Sequence, residues 1–316
     1  MDVHLKNAFV LGAGLGTRMR PLSSVRPKPL MPVFGKPIIT FALDHLRAIG
    51  VESFVINTHH LPGQFEEQFA SGEYGGCPVK LVHEPVLLET GGGIKNAERW
   101  IGGGPFIVYS GDILTDIDLG ALVEEHLRME NDVTLALRKT GLASGVALRE
   151  GRVVDIGGKL GRAGEYDFAN VSVWNAGIYS RIEPGVKISF VPVLVEWIRQ
   201  GGRIGGLVLD GNEWFNIGSR AEYLAVHRFI AEKSWAPAYG AAPGWPVKID
   251  SAAVIAPAAQ ISPATAIGAG SVIGDGARLE DCVVWEAAEI ASGANLRDCI
   301  VTAGRRVGGD HAGADF

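Results

Sequence analysis

Residues 9–32 read Phe-Val-Leu-Gly-Ala-Gly-Leu-Gly-Thr-Arg-Met-Arg-Pro-Leu-Ser-Ser-Val-Arg-Pro-Lys-Pro-Leu-Met-Pro. An apolar run, Ala8 to Leu11, enters a glycine-rich bend, and Arg18, Arg20, Arg26 and Lys28 follow at once. Glycines at 12, 14 and 16 let backbone N–H groups crowd around anionic oxygens with no Cβ in the way, and nearby cations offset the charge. The combination suits a polyphosphate. A plain tight turn accounts for two glycines, but not for Arg-x-Arg-Pro followed by Arg-Pro-Lys-Pro. Neither common nucleotide motif fits: Thr17 stands where a dinucleotide fingerprint needs its third glycine, and no Gly-Lys-[Ser/Thr] is present.

Outward from that bend, strand-like and helix-like segments alternate. Ile38–Ile49, Pro62–Ala70, Gly92–Trp100, Leu119–Glu130, Ser189–Gln200 and Ser219–Glu232 carry helical spacing. Ser53–Asn57, Val79–His83, Pro105–Ser110 and Val133–Leu137 read as strands. The alternation predicts a three-layer, Rossmann-like α/β domain with a mixed, mainly parallel sheet. Ligands in such sheets sit beyond the carboxyl ends of the strands, where Gly12–Arg18 and Gly111-Asp112 both fall. Residues 145–181 hold several short β-like runs, expected as a meander covering the site.

Residues 234–247 are small, Pro/Gly-rich and aperiodic, and read as a linker. Beyond them an aliphatic residue recurs every sixth position at Ile249, Ile255, Ile261, Ile267, Ile273 and Leu279, then slips by one to Val284, Ile290 and Leu296. That period resembles the hexapeptide repeat of a left-handed parallel β-helix, each aliphatic side chain filling one corner of a triangular coil. The expected domains are therefore 1–233, the linker 234–247, a short β-helix of about three coils over 248–303, and a loose tail 304–316.

The chain has 316 residues, 47% hydrophobic and 20% charged, enough for a sizeable core. Its formal net charge of −6 offers no basic stripe for a nucleic acid, so a phosphate ligand needs a local basic cluster. Three widely spaced cysteines without metal-type pairing fit a reduced, cytoplasmic setting. No run approaches the ~18 apolar residues of a membrane span, and no membrane partner is expected. The adjacent His59-His60 lack any companion ligand spacing and read as loop or edge residues; Glu66-Glu67 read as a solvated helix face.

Gly-x-Gly-Thr-Arg-x-Arg-Pro-Leu followed by Pro-Lys-Pro-Leu resembles the signature of sugar-1-phosphate nucleotidylyltransferases, and the resemblance runs from residue 7 to about 232. It implies that Leu11, Gly12, Ala13, Gly14, Gly16 and Thr17 cradle a nucleotide, with Arg18 and Lys28 gripping its phosphates. For Arg20 and Arg26 a phosphate role and a structural role stand equally open. Glu84 and the run Thr90-Gly91-Gly92 resemble the family's second nucleotide loop, its glycines letting backbone pack against a flat base. Asp112, closing an apolar strand, matches the family's catalytic metal-binding aspartate, which implies Mg²⁺. Asp116 and Asp118 are expected instead to cap the helix at Leu119.

The second metal position departs from the family: Trp214-Phe215-Asn216-Ile217-Gly218 stands where Trp-x-Asp-[Ile/Val]-Gly is usual. Asn216 keeps an oxygen ligand and loses a charge, which predicts weaker metal affinity. On the sugar side the resemblance assigns Gly111, Lys159, Asn175 and Gly177. Lys159 lacks the family's flanking glutamate and proline, whereas Asn175-Ala-Gly-Ile-Tyr179 matches well. The expected reaction joins an NTP to a sugar 1-phosphate, first mannose 1-phosphate with GTP, since catalytic domain plus short solenoid resembles mannose-1-phosphate guanylyltransferases. A UTP-using enzyme on N-acetylmuramate or another hexose 1-phosphate is the alternative, and Asn216 motivates a non-catalytic NDP-sugar-binding regulatory paralogue. Acyl transfer by the solenoid is disfavoured, because beyond His227 only His311 remains. A homo-oligomer through the β-helix or the catalytic domain is expected.

Overall fold

The apolar run at the head of the chain becomes a central strand, Asn7–Leu11, with Ala8, Phe9 and Val10 wholly enclosed. The computed structural model describes residues 5–141, 145–240 and 244–316. The chain divides into two compact units: residues up to 14 together with 42–214, and residues 15–41 together with 215–316. The second unit therefore takes in the cationic half of the signature, which the expected boundary at 233 had grouped with the sheet.

In the first unit Asn7–Leu11 lies between Ser53–Thr58 and Phe106–Ser110, parallel to both, with Leu11 opposite Asn57 on one side and Ser110 on the other. Across the ten-stranded sheet the order is Val146–Arg149, Arg152–Ile156, Ile204–Val208, Val133–Arg138, Asp167–Trp174, Phe106–Ser110, Asn7–Leu11, Ser53–Thr58, Cys77–His83 and Glu73–Tyr74. Asp167–Trp174 runs antiparallel to both its neighbours. The runs expected to cover the site are thus strands of the sheet itself. Their composition explains why: Ala169, Val171, Val173 and Trp174 are each fully buried, and a strand apolar on both faces needs cover on both.

Helices Glu89–Ile101 and Phe190–Arg199 bring Ile94, Ala97, Ile101, Leu194 and Trp197 onto the sheet core around Phe9, Val108, Leu135 and Trp174. Truncating one such aromatic to alanine costs about 3–5 kcal/mol. Helix Leu119–Arg128 starts where Asp118 accepts a hydrogen bond from the Ala121 amide at 2.8 Å. Asp116 does not share that cap; it accepts from the Glu213 amide at 2.8 Å and so holds the chain just ahead of Trp214.

In the second unit the six-residue period builds a parallel solenoid. Val254–Ile255, Val272–Ile273, Glu289–Ile290 and Arg306–Val307 stack in one sheet. Gln260–Ile261, Arg278–Glu280, Asn295–Arg297 and Asp310–Ala312 form the second, and Ala266–Ile267, Val283–Val284 and Ile300–Val301 the third. Buried Ile267, Ile273, Leu279, Val284, Ile290, Leu296 and Val301 fill its corners. The one-residue slip after Leu279 is a shorter corner, where Asp281 takes a positive φ of 52°; Asp298 repeats it one coil later at 53°.

The tail expected over 304–316 is part of this ladder. Its side chains no longer follow the period, but the ladder is made of backbone, and Val307 still fills a corner. The Phe316 amide donates to the Ile300 carbonyl, and the Thr302 amide donates to the Phe316 carbonyl, both at 3.0 Å. The linker is also fixed at its far end. Trp245 donates from Nε1 to the Val33 carbonyl at 3.0 Å and meets Phe41 edge-on.

Candidate active site

Register puts three polar side chains, Asn57, Ser110 and Asp112, at the carboxyl edge of the first unit's sheet. Leu11 is opposite Asn57 and Ser110, and the Gly111 amide donates to the Leu11 carbonyl at 2.9 Å. Gly12, buried, and Asp112, half-buried, lie just beyond the ends of their own strands. Gly12 is a glycine for lack of room: a Cβ there would lie 2.6 Å from the Asn57 carbonyl and 3.0 Å from the Phe65 ring.

Behind this edge runs a hydrogen-bonded relay. The Gly12 amide donates to Asn57 Oδ1 at 2.9 Å. Asn57 Nδ2 donates to Glu84 Oε1 at 2.8 Å, and the Leu88 amide donates to Glu84 Oε2 at 2.9 Å. Glu84 is wholly buried, with both oxygens engaged. It therefore holds Asn57, and through it the entrance of the bend, rather than touching a ligand. The sequence reading missed Asn57; its one signal is a polar residue closing the apolar run Phe54–Ile56.

Thr90, Gly91 and Gly92 lie in the first turn of Glu89–Ile101. A Cβ on Gly91 would sit 2.9 Å from the Ile188 carbonyl oxygen, and one on Gly92 2.4 Å from that of Val186. Both glycines are buried, and the room that their missing Cβ atoms leave is taken by residues 186–189. Gly93 is required by Glu84, whose Oε1 would be 2.9 Å from its Cβ. Thr90 alone of the three expected contacts is partly exposed.

The expected sugar residues separate. Trp174 pairs with Phe106 and Val133, the first residues of their strands, so Asn175 and Gly177 lie at the amino edge. The four residue steps from Phe106 to Ser110 span roughly 13 Å, far beyond hydrogen-bond reach of Gly111 or Asp112. Asn175 is also committed locally: its Nδ2 donates to the Asn131 carbonyl at 2.8 Å, and its Oδ1 faces His126 Nε2 at 3.4 Å. Burial lowers the His126 pKa, partly countered by that bond.

At the sheet's carboxyl edge, near the start of the antiparallel strand Asp167–Trp174, is a residue the sequence reading passed over. Val171 pairs with Tyr109, so Asn170 reaches the level of Ser110, inside an irregularity between Phe168 and Ser172 and with a φ of 63°. A non-glycine residue held in the left-handed region is a common mark of a functional site. The preceding Ala169 carbonyl accepts from Trp214 Nε1 at 2.9 Å, which fixes the bulge. Lys159 is exposed on a turn fastened by the buried Asp155, whose Oδ2 accepts from the Leu160 and Arg162 amides at 2.8 Å each.

The second unit carries the cations. Gly16 has a φ of 59°, and a Cβ there would meet Ser23 at 3.0 Å and Lys28 at 3.6 Å, so the Gly16-Thr17 turn rests on the lysine's stem. Thr17 and Arg18 are exposed and Lys28 is half-buried. The Arg18 guanidinium lies against Gly218, where a Cβ would be 2.9 Å from Nη2, and the Gly218 amide donates to Glu222 at 3.0 Å. Arg18 and the Asn216-Ile-Gly218 loop are therefore neighbours.

The Asp112 carboxylate in the first unit and the Asn216 side-chain carbonyl in the second are each a hard oxygen of the type Mg²⁺ takes. Among the described residues no group of three or more His, Cys, Asp or Glu could hold a metal by itself. Magnesium rarely has an all-protein cage, so a carboxylate such as Asp112 completed by water and phosphate fits it. The same residues hold no helix long and apolar enough to cross a membrane.

Comparison with known proteins agrees with this layout. A family model described as "Nucleotidyl transferase" matches residues 7–233, and one described as "GMPPB C-terminal domain" matches 245–312. An N-acetylmuramate α-1-phosphate uridylyltransferase of Neisseria meningitidis is 34% identical over 224 residues, 67% of this chain and 93% of the relative. A mannose-1-phosphate guanylyltransferase of Mycobacterium tuberculosis is 38% identical over 141 residues, 45% of this chain, which spans only 39% of that relative's length. In fold, the inositol-1-phosphate CTP transferase of Thermotoga maritima superposes with a TM-score of 0.60 at 23% identity, covering 69% of this chain and 91% of that one. A glycine bend on a central strand, an aspartate one strand over and a family model across 7–233 point the same way: the chain belongs to the nucleotidyl transferase family.

Proposed function

We propose that this protein transfers a nucleotidyl group from an NTP to a sugar 1-phosphate, releasing pyrophosphate, with GTP and mannose 1-phosphate as the first pair. The observation that carries the reading is the carboxyl edge of the sheet, where Gly12, Ser110-Gly111-Asp112 and Asn170 converge.

A phosphate oxygen of the sugar 1-phosphate attacks the α-phosphorus in line. A new P–O bond forms as the bond to the β-phosphate breaks, and pyrophosphate leaves with the electron pair. No covalent enzyme intermediate is needed, so the chain positions reactants and offsets charge. In this reading the backbone from Leu11 through Ala13 and Gly14 to Gly16 and Thr17 receives the nucleotide. Glu84 and Asn57 hold its entrance in place. Arg18 makes bidentate phosphate contacts, and Lys28 supplies a compact charge on the triphosphate. By the family resemblance Asp112 would hold Mg²⁺, which when bound neutralises phosphate charge, and Asn216 stands at the family's second metal position.

For the sugar, Gly111 and Asn170 take the hydroxyl contacts in place of Asn175 and Gly177, and Lys159 meets the sugar phosphate. The test is pyrophosphate release from the full chain across the four NTPs and a panel of sugar 1-phosphates with magnesium. Turnover highest with GTP and mannose 1-phosphate supports the first pair, and highest turnover with UTP and N-acetylmuramate 1-phosphate would replace it.

Asn216 favours a second reading, a non-catalytic subunit that binds NDP-sugars. Asn216→Asp separates the two. In an enzyme handicapped only by the missing charge, the substitution lowers the magnesium concentration for half-maximal rate severalfold. If neither form turns over any pair while both bind GDP-mannose, the protein is the binding subunit. Self-association through the solenoid or the sheet domain belongs to either reading, and light scattering of the full chain measures it.

A further inference from the structure

One solenoid residue does not serve the solenoid's own core. Trp285 is fully buried, yet the aliphatic corners of the coil pack without it. Its indole is turned toward the other segments of its unit. Trp285 Nε1 donates to the Tyr223 hydroxyl at 3.3 Å, and that hydroxyl donates to the Pro32 carbonyl. Burial raises the Tyr223 pKa, keeping the phenol protonated as a donor.

Against the indole face, 4.6 Å from its centroid, sits the guanidinium of Arg26, and the next solenoid residue, Glu286, closes an ion pair with it. The Arg26 side chain is only 19% exposed. A planar cation stacked on an aromatic face and paired with a carboxylate is well fixed. Arg26, left open by the sequence, is thus bound to protein and not available to a phosphate.

Its place in the chain gives this clamp a consequence. Arg26 is two residues before Lys28, in Arg-Pro-Lys-Pro, and the intervening Pro27 has its φ locked at −54°. The turn Lys28–Leu30 follows directly, closed by bonds from the Leu30 amide to Pro27 and from the Met31 amide to Lys28. A stiff one-residue spacer transmits the position of its anchor. We propose that Trp285 and Glu286 are positioning residues for nucleotidyl transfer: through Arg26 the solenoid sets where the Lys28 ammonium stands. This deepens the proposed function and rests on it, since it takes Lys28 as the cation on the triphosphate.

The test compares two solenoid anchors. Arg228 binds Asp281 at 2.8 Å and also Asp298, tying the coils to helix Arg220–Lys233 and not to the Lys28 segment. Glu286→Gln and Asp281→Asn remove one charge each with little change of shape. Magnesium-GTP affinity by calorimetry, steady-state constants and melting temperature are measured on the full chain.

If the solenoid positions Lys28, Glu286→Gln weakens GTP binding and lowers kcat/KM for GTP roughly tenfold or more, with KM for the sugar 1-phosphate unchanged. Asp281→Asn leaves both nucleotide readouts at the wild-type value. Arg26→Lys, which keeps the charge and loses the stacked plane, falls with Glu286→Gln. Equal nucleotide constants for wild type and Glu286→Gln, whatever the melting temperatures, overturn the inference. So does an equal kinetic loss in Asp281→Asn, which marks a general softening. Wild-type protein that neither binds nor turns over any of the four NTPs brings down the proposed function, and this inference with it.

Discussion

Glu84 is a carboxylate with no exposed surface and no cation among its hydrogen-bond partners. Such a group is tolerated only when donors satisfy it, and here one amide side chain and one backbone amide do so. Glutamine at this position keeps the shape, but its NH2 must then face either Asn57 Nδ2 or the Leu88 amide, donor against donor. Glu84→Gln is expected to cost about 1–3 kcal/mol in chemical denaturation and to raise KM for the nucleotide, because Gly12 loses its fixed partner. A variant as stable as wild type with unchanged nucleotide KM would leave the relay without function. The sequence offered Glu84 as a nucleotide contact and gave no sign of its burial or of its bonds to Asn57 and Leu88. A motif gives residue type and order, whereas burial depends on what packs from elsewhere in the chain.

At the scale of elements, the strands and helices were readable because their periods are local. Apolar runs gave the central strands, and Ser189 and Ser219 cap the two helices predicted to begin at them. Strand direction was not readable. Asn-Ala-Gly-Ile-Tyr at 175–179 looks like a sugar-binding strand, yet the antiparallel course of Asp167–Trp174 carries it to the amino edge and leaves Asn170 at the carboxyl edge. One reversal exchanges which end of the run meets the ligand. The kinetic consequence is specific. Asn170→Ala is expected to raise KM for the sugar 1-phosphate about tenfold, the worth of a hydrogen bond of roughly 1.4 kcal/mol, with nucleotide KM unchanged. Asn175→Ala is expected to leave both KM values alone and to cost about 1 kcal/mol of stability through its lost bond to Asn131. The reverse pattern would return the sugar to the amino edge.

For the whole molecule, acid is the informative perturbation, because each unit encloses a neutral histidine. In the first unit burial pushes His45 down to about 3, with its Nδ1 3.2 Å from the Tyr109 hydroxyl. In the second, burial pushes His227 down to about 4. His227 Nδ1–H donates to the Tyr223 carbonyl at 2.8 Å, and Nε2 accepts from the Phe34 amide at 3.4 Å. A proton on Nε2 would set one donor against another. Unfolded, both histidines titrate near 6.5. Between 6.5 and their folded values the unfolded chain binds more protons, so stability falls as pH drops through that window and has no slope from these groups above it. Each histidine contributes about 1.4 kcal/mol per pH unit there. Denaturation midpoints between pH 7.5 and 4.5 should therefore hold steady at first and decline below 6.5. His227→Gln should start less stable at neutral pH, since a packed ring is lost, but decline less steeply on acidification. Should the variant and wild type fall with the same slope, His227 is not one of the groups that loosen the fold in acid, and the neutral ring between Tyr223 and Phe34 contributes only packing.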